Sequence, residues 1–151
     1  MHRMYENEDI VIFWNSDKCF HAKQCVEGSP KTFRPGQKPW ICLEGSDTKA
    51  VWQAISKCPS GALSCLYKHD IDVVMEPEAC RSVAFDGSKE IGECDYIKSA
   101  KGWNIVHTGV SQEYTGKGIA KRLVYKVIEE AERNKENVTA SCSYAVKILE
   151  E

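Results

Sequence analysis

The sequence predicts an α+β protein that is divided into two small domains. Its 151 residues are enough for one domain or for two small ones. Short β-rich runs surround one capped helix in the first half, whereas several strand-like runs precede a long amphipathic helix in the second half. A short polar stretch at residues 68–70 separates the two patterns. We therefore expect one domain over residues 1–69 and another over residues 70–151.

The elements of the first half follow from its apolar runs and its helix signals. Short β-rich runs predict strands at residues 9–14, 40–43 and 62–67. A helix is expected to begin at Asp47 or Thr48, because either side chain can cap its first turn. This helix runs to about residue 57, since Pro59 cannot continue a helix and disfavours helical geometry at Cys58.

The second half is predicted to form an antiparallel sheet that leads into a strand–turn–helix–strand unit. The expected strands cover residues 71–75, 80–86, 91–97, 103–110 and 138–142. Asp86-Gly87-Ser88 is a hairpin signal between two of them. One helix is expected from residue 117 to about 134, with a short one at residues 144–149. The long helix carries an apolar stripe of Ile119, Ala120, Leu123, Val124, Val127, Ile128 and Ala131, which places Lys121 and Arg122 on its polar side.

Composition excludes several classes of protein. The net charge is −2 with acids and bases interspersed, so we do not expect nucleic-acid binding. No stretch approaches the roughly 20 apolar residues that span a membrane, so we do not expect a membrane protein. The apolar run at residues 10–14 is too short for the core of a signal peptide. Eight cysteines in such a chain are expected to be metal ligands, packed thiols or a nucleophile of a reduced, cytoplasmic protein.

The spacing of three cysteines indicates an iron–sulfur cluster. Five residues separate Cys19 from Cys25, and Cys58 is followed directly by Pro59. A cluster needs several thiolates that converge, and a distant Cys-Pro element closes the cage once the chain has folded back. The paired Cys-x-x-Cys elements of common zinc modules do not occur in the sequence. We therefore expect Cys19, Cys25 and Cys58 to bind metal, with zinc binding and plain packing as the alternatives.

The sequence does not distinguish a three-iron cluster from a four-iron cluster. The usual ferredoxin run places a cysteine three residues after the first, where this chain has Ala22. The site then holds either a 3Fe-4S cluster with three ligands or a 4Fe-4S cluster with a fourth. The candidates for that fourth ligand are His21, Cys42, Cys65 and an exogenous group.

Residues 5–67 resemble the divergent single-cluster ferredoxin domain. The resemblance is carried by Cys19-Phe20-His21-Ala22 with Cys25-Val26, by Lys38-Pro39-Trp40-Ile41 and by Cys58-Pro59-Ser60-Gly61-Ala62-Leu63. It implies a ferredoxin-like fold that binds one cluster.

A second motif indicates a phosphate-binding loop before the long helix. Gly116 and Gly118 let the backbone approach an anion closely, and the helix supplies its positive end. Lys117 and Lys121 add positive charge. The same glycines are also compatible with an ordinary turn, but the preceding strand and the amphipathic helix favour a ligand such as acyl-CoA.

Residues 80–149 resemble the small single-domain branch of the GNAT acetyltransferase superfamily. The resembling stretches are Ile91-Gly92-Glu93, Ile105-Val106-His107-Thr108-Gly109-Val110, Gly116–Ala120 and Ser141-Cys142-Ser143-Tyr144. The pyrophosphate motif of the superfamily maps onto Thr115, Gly118 and Ala120, and Thr115 replaces its arginine or glutamine. The fold implied for the whole chain is α+β, with an N-terminal ferredoxin-like domain and a C-terminal minimal GNAT-like α/β domain.

The GNAT resemblance implies acetyl transfer from acetyl-CoA to an amine. Tyr144 is the expected proton donor, Cys142 the expected acceptor of the acetyl group and His107 the expected base. The alternative for each of the three is a structural, packed side chain. The implied cofactor-binding residues are Thr108, Val110, Thr115, Gly116, Lys117, Gly118, Ile119, Ala120 and Lys121. The acceptor is an unknown amine or protein, and the cluster implies a redox partner.

Two functions are therefore compatible with the sequence. One is an N-acyltransferase, with acetyl-CoA as donor, that carries a fused iron–sulfur domain. The alternative is an electron-transfer or redox-sensing protein whose GNAT-like half binds CoA without catalysis.

Overall fold

The chain forms two compact units, Met1–Lys68 and His69–Glu151. This computed structural model describes residues 2–19, 22–44 and 46–150. None of the helices within those residues combines the length and the apolar character that crossing a membrane requires.

A three-stranded antiparallel sheet forms the base of the first unit. Its strands are β1 (His2–Glu6), β2 (Ile10–Asn15) and β3 (Leu63–Tyr67), with β2 in the centre. The central strand is the predicted β-rich run, and its first four side chains are buried. Strand β1 was not predicted because its sequence HRMYE is largely polar, yet it pairs with β2 along its whole length.

Two helices complete the first unit, α1 (Gln24–Gly28) and α2 (Thr48–Ser56). Helix α2 has the predicted start, because the Asp47 side chain accepts a hydrogen bond from the Lys49 N–H. The core between sheet and helices contains Ile10, Ile12, Phe33, Ile41, Leu43, Val51, Ala54, Ile55 and Leu63.

The predicted strand at residues 40–43 is wrong. The described part of this segment makes one isolated bridge, in which Ile41 faces Phe33. Both side chains are nevertheless buried in the core. A short apolar run indicates that a segment is buried, but it does not show whether the segment forms a paired β-strand.

The second unit is built on a five-stranded sheet. Strands β4 (Ile71–Glu76), β5 (Arg81–Asp86), β6 (Lys89–Ser99) and β7 (Gly102–Val110) are antiparallel neighbours. Helix α3 (Ile119–Arg133) then returns the chain, so that β8 (Val138–Ala140) lies parallel to β7. A final helix, α4 (Ser143–Glu150), follows directly.

Helix α3 buries most of its predicted apolar stripe, and it buries two further side chains, those of Tyr125 and Arg122. Arg122, which was expected on the polar side, is 1% exposed. Its Nη2 donates a hydrogen bond to the Ile71 carbonyl at 2.8 Å, and this contact ties the helix to the start of β4. A guanidinium can be buried when it donates a hydrogen bond to a buried carbonyl and its apolar stem packs, which periodicity alone does not reveal.

Strands β7 and β8 separate after a short pairing. Only Trp103–Ile105 pairs with Val138–Ala140, so β8 ends two residues earlier than predicted. The Ser141 and Cys142 N–H groups both donate to the Ile105 carbonyl, at 2.8 and 3.2 Å. Beyond this point β7 continues to Val110, whereas the segment that follows β8 turns into α4. The divergence opens a gap between β7 and the start of α4, which we call the β7–α4 gap.

Candidate cluster and acyl-transfer sites

Cys19, Cys25 and Cys58 line one small cavity of about 20 Å³ in the first unit. Cys19 follows the 3₁₀ turn Ser16–Lys18, Cys25 lies in α1, and Cys58 comes two residues after the end of α2. The fold thus brings together the three cysteines that the sequence indicated as metal ligands.

Several hydrogen-bond donors surround the Cys58 sulfur. The Ser60 hydroxyl lies 3.5 Å from Cys58 Sγ. The backbone N–H groups of Leu63, Ser60 and Ala62 also donate to this sulfur, and Gly61 makes the turn possible with a φ of 71°. Partial burial alone would raise the pKa of the Cys58 thiol, but these donors outweigh burial and hold the pKa below its ordinary value.

The three sulfurs fit an iron–sulfur group. Burial raises the pKa of the Cys25 thiol, and the charges of Cys58 and Cys19 raise it further. The three sulfurs are therefore close enough to repel one another as thiolates, and positively charged iron would relieve that repulsion. Soft thiolates with N–H donors at one sulfur are the donor set that such clusters use.

The candidates for a fourth ligand differ in their position. His21 lies outside the described residues. Cys65 lines a separate groove of about 300 Å³ that it shares with Cys58, and burial raises its pKa to about 11. Among the described residues, neither Cys65 nor Cys42 belongs to the set that lines the three-cysteine cavity.

A larger apolar cavity adjoins Cys19 and Cys25, two of the three predicted ligands. It measures about 320 Å³ and is lined by Trp14, Cys19, Lys23, Cys25, Val26, Pro35, Gly36 and Trp40. The two tryptophan rings meet edge to face, with their centroids 4.8 Å apart. Aromatic walls beside the sulfurs lower the local polarity, which is one of the features that tune a cluster's potential.

The start of α3 in the second unit has the geometry of an anion-binding loop. Gly116 and Gly118 have φ angles of 81° and 73°, and Gly118 is the N-cap of α3. The first N–H groups of any helix lack partners within it, so here they are available to an anion, and the helix dipole adds positive potential. The Lys117 ammonium lies 5.9 Å from the centre of the Tyr114 ring beside this loop.

Thr115 is engaged within the loop itself. Its hydroxyl donates to the Gln112 carbonyl at 2.9 Å and closes the 3₁₀ turn Gln112–Tyr114. The hydroxyl therefore supports the loop rather than reaching outward as an arginine or glutamine would. The groups at this loop that could hold an anion are thus backbone N–H groups and lysines.

Cys142 lies in the β7–α4 gap with its sulfur surrounded by donors. The backbone N–H groups of Ala145 and Tyr144, in the first turn of α4, donate to the sulfur. On the other side of the gap, the N–H of Thr108 donates to the sulfur, and the Thr108 hydroxyl lies within hydrogen-bond reach of it. Partial burial alone would raise the pKa of the thiol, but these donors lower it below its ordinary value. A thiol with this environment has the character of a nucleophile.

His107 lies on the other face of the sheet. Cys94 pairs with Ser82, whose hydroxyl donates to the Leu123 carbonyl of α3, so Cys94 and its partner Thr108 lie on the helix side of the sheet. The alternation along β7 therefore directs His107 away from the helix. Ligand atoms of His107, Asp95 and Glu93 lie within 4.8 Å of one another. Asp95 can orient the imidazole, and burial together with the charge of Glu93 raises the pKa of the Asp95 carboxyl.

Two family models divide the chain. Residues 5–69 match the family described as divergent 4Fe-4S mono-cluster. The uncharacterized protein YjdI of Escherichia coli is 40% identical over 68 residues, which cover 45% of this chain and 87% of YjdI. The chain belongs to the divergent 4Fe-4S mono-cluster family.

The second half matches another family, the GCN5-related N-acetyl-transferases, over residues 81–151. A GCN5-like protein from Staphylococcus aureus, solved by NMR, is 32% identical and has a TM-score of 0.42, covering 52% of this chain and 78% of that one. Arabidopsis thaliana Naa50, bound to the bisubstrate analogue CoA-Ac-MVNAL, is 25% identical with a TM-score of 0.31 and covers 42% of each chain. The two family models confirm both resemblances seen in the sequence.

The sequence predicted the site residues more completely in the mono-cluster half than in the GNAT half. All three predicted metal ligands line one cavity. In the GNAT half, Cys142 meets Thr108 and the Tyr144 backbone, but His107 faces the other side of the sheet. Sequence reasoning missed Cys94, whose proximity to the site follows only from its register with Thr108.

Proposed function

We propose that this protein is an acyl-CoA-dependent N-acyltransferase, with acetyl-CoA as donor, that carries one iron–sulfur cluster. The observation that carries the proposal is the Cys142 sulfur, which lies among three backbone N–H donors and the Thr108 hydroxyl in the β7–α4 gap. The glycine loop at Gly116 and Gly118 begins the helix that follows β7, and Cys142 follows the next strand, β8. The proposed phosphate and thioester sites thus belong to one strand–turn–helix–strand unit. A candidate nucleophile and a candidate phosphate site in one unit favour a catalytic role over a protein that only binds CoA.

The loop would hold the pyrophosphate of acetyl-CoA through the first N–H groups of α3, with Lys117 and Lys121 adding charge. Thr108 and Val110 lie on the part of β7 that extends beyond its pairing with β8, where backbone groups can bind the pantetheine arm. Ile119 and Ala120 begin α3 and supply two of the N–H groups.

The Cys142 thiolate then attacks the thioester carbonyl carbon. The bond from that carbon to the CoA sulfur breaks, and the departing CoA thiolate takes a proton from Tyr144. A neutral amine next attacks the acyl-cysteine, so that the amide forms, Cys142 regains its thiolate and the amine loses a proton. The Tyr144 phenolate left by the first step takes up this proton, which restores the starting protonation of the site. His107, the base expected from the sequence, faces the other side of the sheet beside Asp95.

The cluster half is proposed to bind its iron through Cys19, Cys25 and Cys58. When bound, the cluster supplies one-electron transfer. Ser60 and the N–H groups around Cys58 stabilise the negative charge on that ligand. A redox partner and an amine or protein acceptor are the partners that this proposal implies.

The proposal can be tested by looking for acyl groups on Cys142. Purified protein is incubated with acetyl-CoA, quenched in acid and digested, and the acetylated cysteine is located by mass spectrometry. Acetyl is expected on Cys142 in the wild type and absent from Cys142→Ala, whereas Cys80→Ala, which removes another half-buried thiol of the same unit, should behave as wild type.

Turnover is followed in parallel with a panel of small amines and lysine peptides. We expect free CoA to appear at least about tenfold faster than with Cys142→Ala, since that variant lacks the nucleophile. Acetyl-CoA binding without acyl-cysteine and without turnover on any acceptor would contradict the proposal and favour the electron-transfer alternative.

A further inference from the structure

Thr108 lies between two cysteines in the second unit. It pairs in register with Cys94 on β6, and its Oγ1 lies 3.5 Å from Cys94 Sγ. On its other side, the Thr108 hydroxyl also reaches the sulfur of Cys142. One hydroxyl group is thus shared by a fully buried cysteine and by the cysteine of the proposed acyl-transfer site.

The two cysteines cannot readily form a disulfide. They lie on the two sides of β7, so about two strand spacings of roughly 4.8 Å separate their backbones. Disulfides need Cα atoms within about 7 Å of each other. The arrangement is therefore a thiol–hydroxyl–thiol chain, with Thr108 as its central member.

A hydroxyl has a single proton to donate, so Thr108 can serve only one sulfur at a time as a donor. A thiolate is a far better acceptor than a neutral thiol. Burial keeps Cys94 protonated by raising its pKa to about 12, whereas Cys142 is half exposed and receives N–H donors from α4. When Cys142 ionises, the Thr108 proton gains a stronger acceptor there than at Cys94.

We propose that Thr108 is a positioning residue whose hydroxyl turns from Cys94 to Cys142 and holds the Cys142 thiolate toward the thioester. The inference rests on the proposed function and deepens it, because it assigns the Thr108 side chain to the nucleophile and leaves the cofactor to the backbone. Cys94 has the secondary role of holding the hydroxyl while Cys142 is protonated.

The test measures the reactivity of Cys142 in the full-length, cluster-loaded protein without acyl-CoA. Iodoacetamide is added at pH values from 6 to 10, and alkylation of the Cys142 peptide is followed by mass spectrometry. In Thr108→Val we expect the profile to move to higher pH, with alkylation about tenfold slower at pH 7, as expected when a thiolate loses a hydrogen bond. Thr108→Ser keeps the hydroxyl and should restore the wild-type profile.

The matched control is Thr139→Val on the neighbouring β8. The Thr139 hydroxyl donates to Asn104 Oδ1 at 3.1 Å on the exposed side of that strand, away from either sulfur. This variant is expected to keep the wild-type alkylation profile. An unchanged profile in Thr108→Val, or an equal shift in Thr139→Val, would overturn the proposal.

Cys94→Ala provides a second measurement in case Thr108→Val does not fold. Without the competing acceptor, the hydroxyl is left to Cys142, so alkylation should be as fast as in the wild type or faster. Slower alkylation of Cys142 in this variant would overturn the proposal. Because alkylation needs no acyl donor, these outcomes are independent of whether Cys142 carries an acetyl group during turnover.

Discussion

At the scale of single residues, the cysteines of this chain differ in what surrounds their sulfurs. Cys58 and Cys142 each accept several hydrogen bonds, and their pKa values lie below the ordinary range. Cys65 and Cys94 are more deeply buried, and burial raises their pKa values to about 11 and about 12. The environments of the first two favour the thiolate, which suits their proposed roles as cluster ligand and nucleophile, while the other two are packed thiols.

Replacing Ser60 by alanine should lower the reduction potential of the cluster. The Ser60 hydroxyl lies 3.5 Å from Cys58 Sγ, and hydrogen bonds to a ligand sulfur stabilise the reduced, more negative cluster. The potential is measured by a redox titration followed by EPR. The backbone donors remain in this variant, so the cluster itself should still assemble.

Ser56→Ala is the control for this substitution. Its hydroxyl donates to the Gln53 carbonyl at 2.7 Å at the exposed end of α2 and makes no contact of its own with the cluster cavity. The potential of this variant should equal that of the wild type. A Ser60→Ala protein with the wild-type potential would show that the hydroxyl does not influence the cluster.

At the scale of elements, the patterns that sequence analysis found were those that depend on local chemistry. The capped helix α2 and the stripe of α3 follow from side chains that are neighbours in the sequence. Strand β1 and the isolated bridge at Ile41 depend on partners elsewhere in the chain, and there the predictions failed. The pairing of Cys94 with Thr108 likewise depends on register, which is set by hairpin geometry.

A substitution at Gly116, in the loop before α3, should affect both the stability of the protein and its affinity for acetyl-CoA. Gly116 has a φ of 81° and open space where a Cβ would lie, so alanine there is strained by its backbone angle rather than by a clash. We expect Gly116→Ala to lose about 1 kcal/mol of unfolding free energy. It should also weaken acetyl-CoA binding at least about tenfold, because the added methyl group stands where the backbone approaches the phosphates.

Gly87→Ala is a matched control for that variant. Gly87 also has a positive φ, of 62°, with open space around its Cβ position, but it lies in the hairpin between β5 and β6. Urea unfolding should give a similar loss of stability, and calorimetric titration should give unchanged affinity for acetyl-CoA. Equal losses of affinity in both variants would mean that Gly116 contributes only to stability.

At the scale of the whole molecule, each half carries its own core and its own candidate site. The three ligand cysteines lie within the first unit, and the phosphate loop and Cys142 lie within the second. The sequence indicated this division because cluster motif and phosphate motif lie in different halves of the chain. What it did not indicate is the face that each side chain takes, as Arg122 and His107 illustrate, since burial and register arise only after folding.

The predicted boundary at residues 69 and 70 can be tested by producing the halves separately. Residues 1–69 should bind a cluster, with its charge-transfer absorption, and residues 70–151 should bind acetyl-CoA with the affinity of the full chain. The physical reason is that the apolar core of the first unit, the Arg122–Ile71 hydrogen bond and the Thr108–Cys94 contact each lie within one unit.

The decisive comparison is the rate of acetyl transfer by residues 70–151 against that of the full chain with its cluster oxidised and reduced. Equal rates in all three samples would make the cluster half an independent module. A rate that changes with the state of the cluster, and is fixed in the isolated half, would show that electron transfer regulates acyl transfer. Failure of residues 70–151 to fold, judged by circular dichroism and a cooperative melt, would contradict the boundary itself.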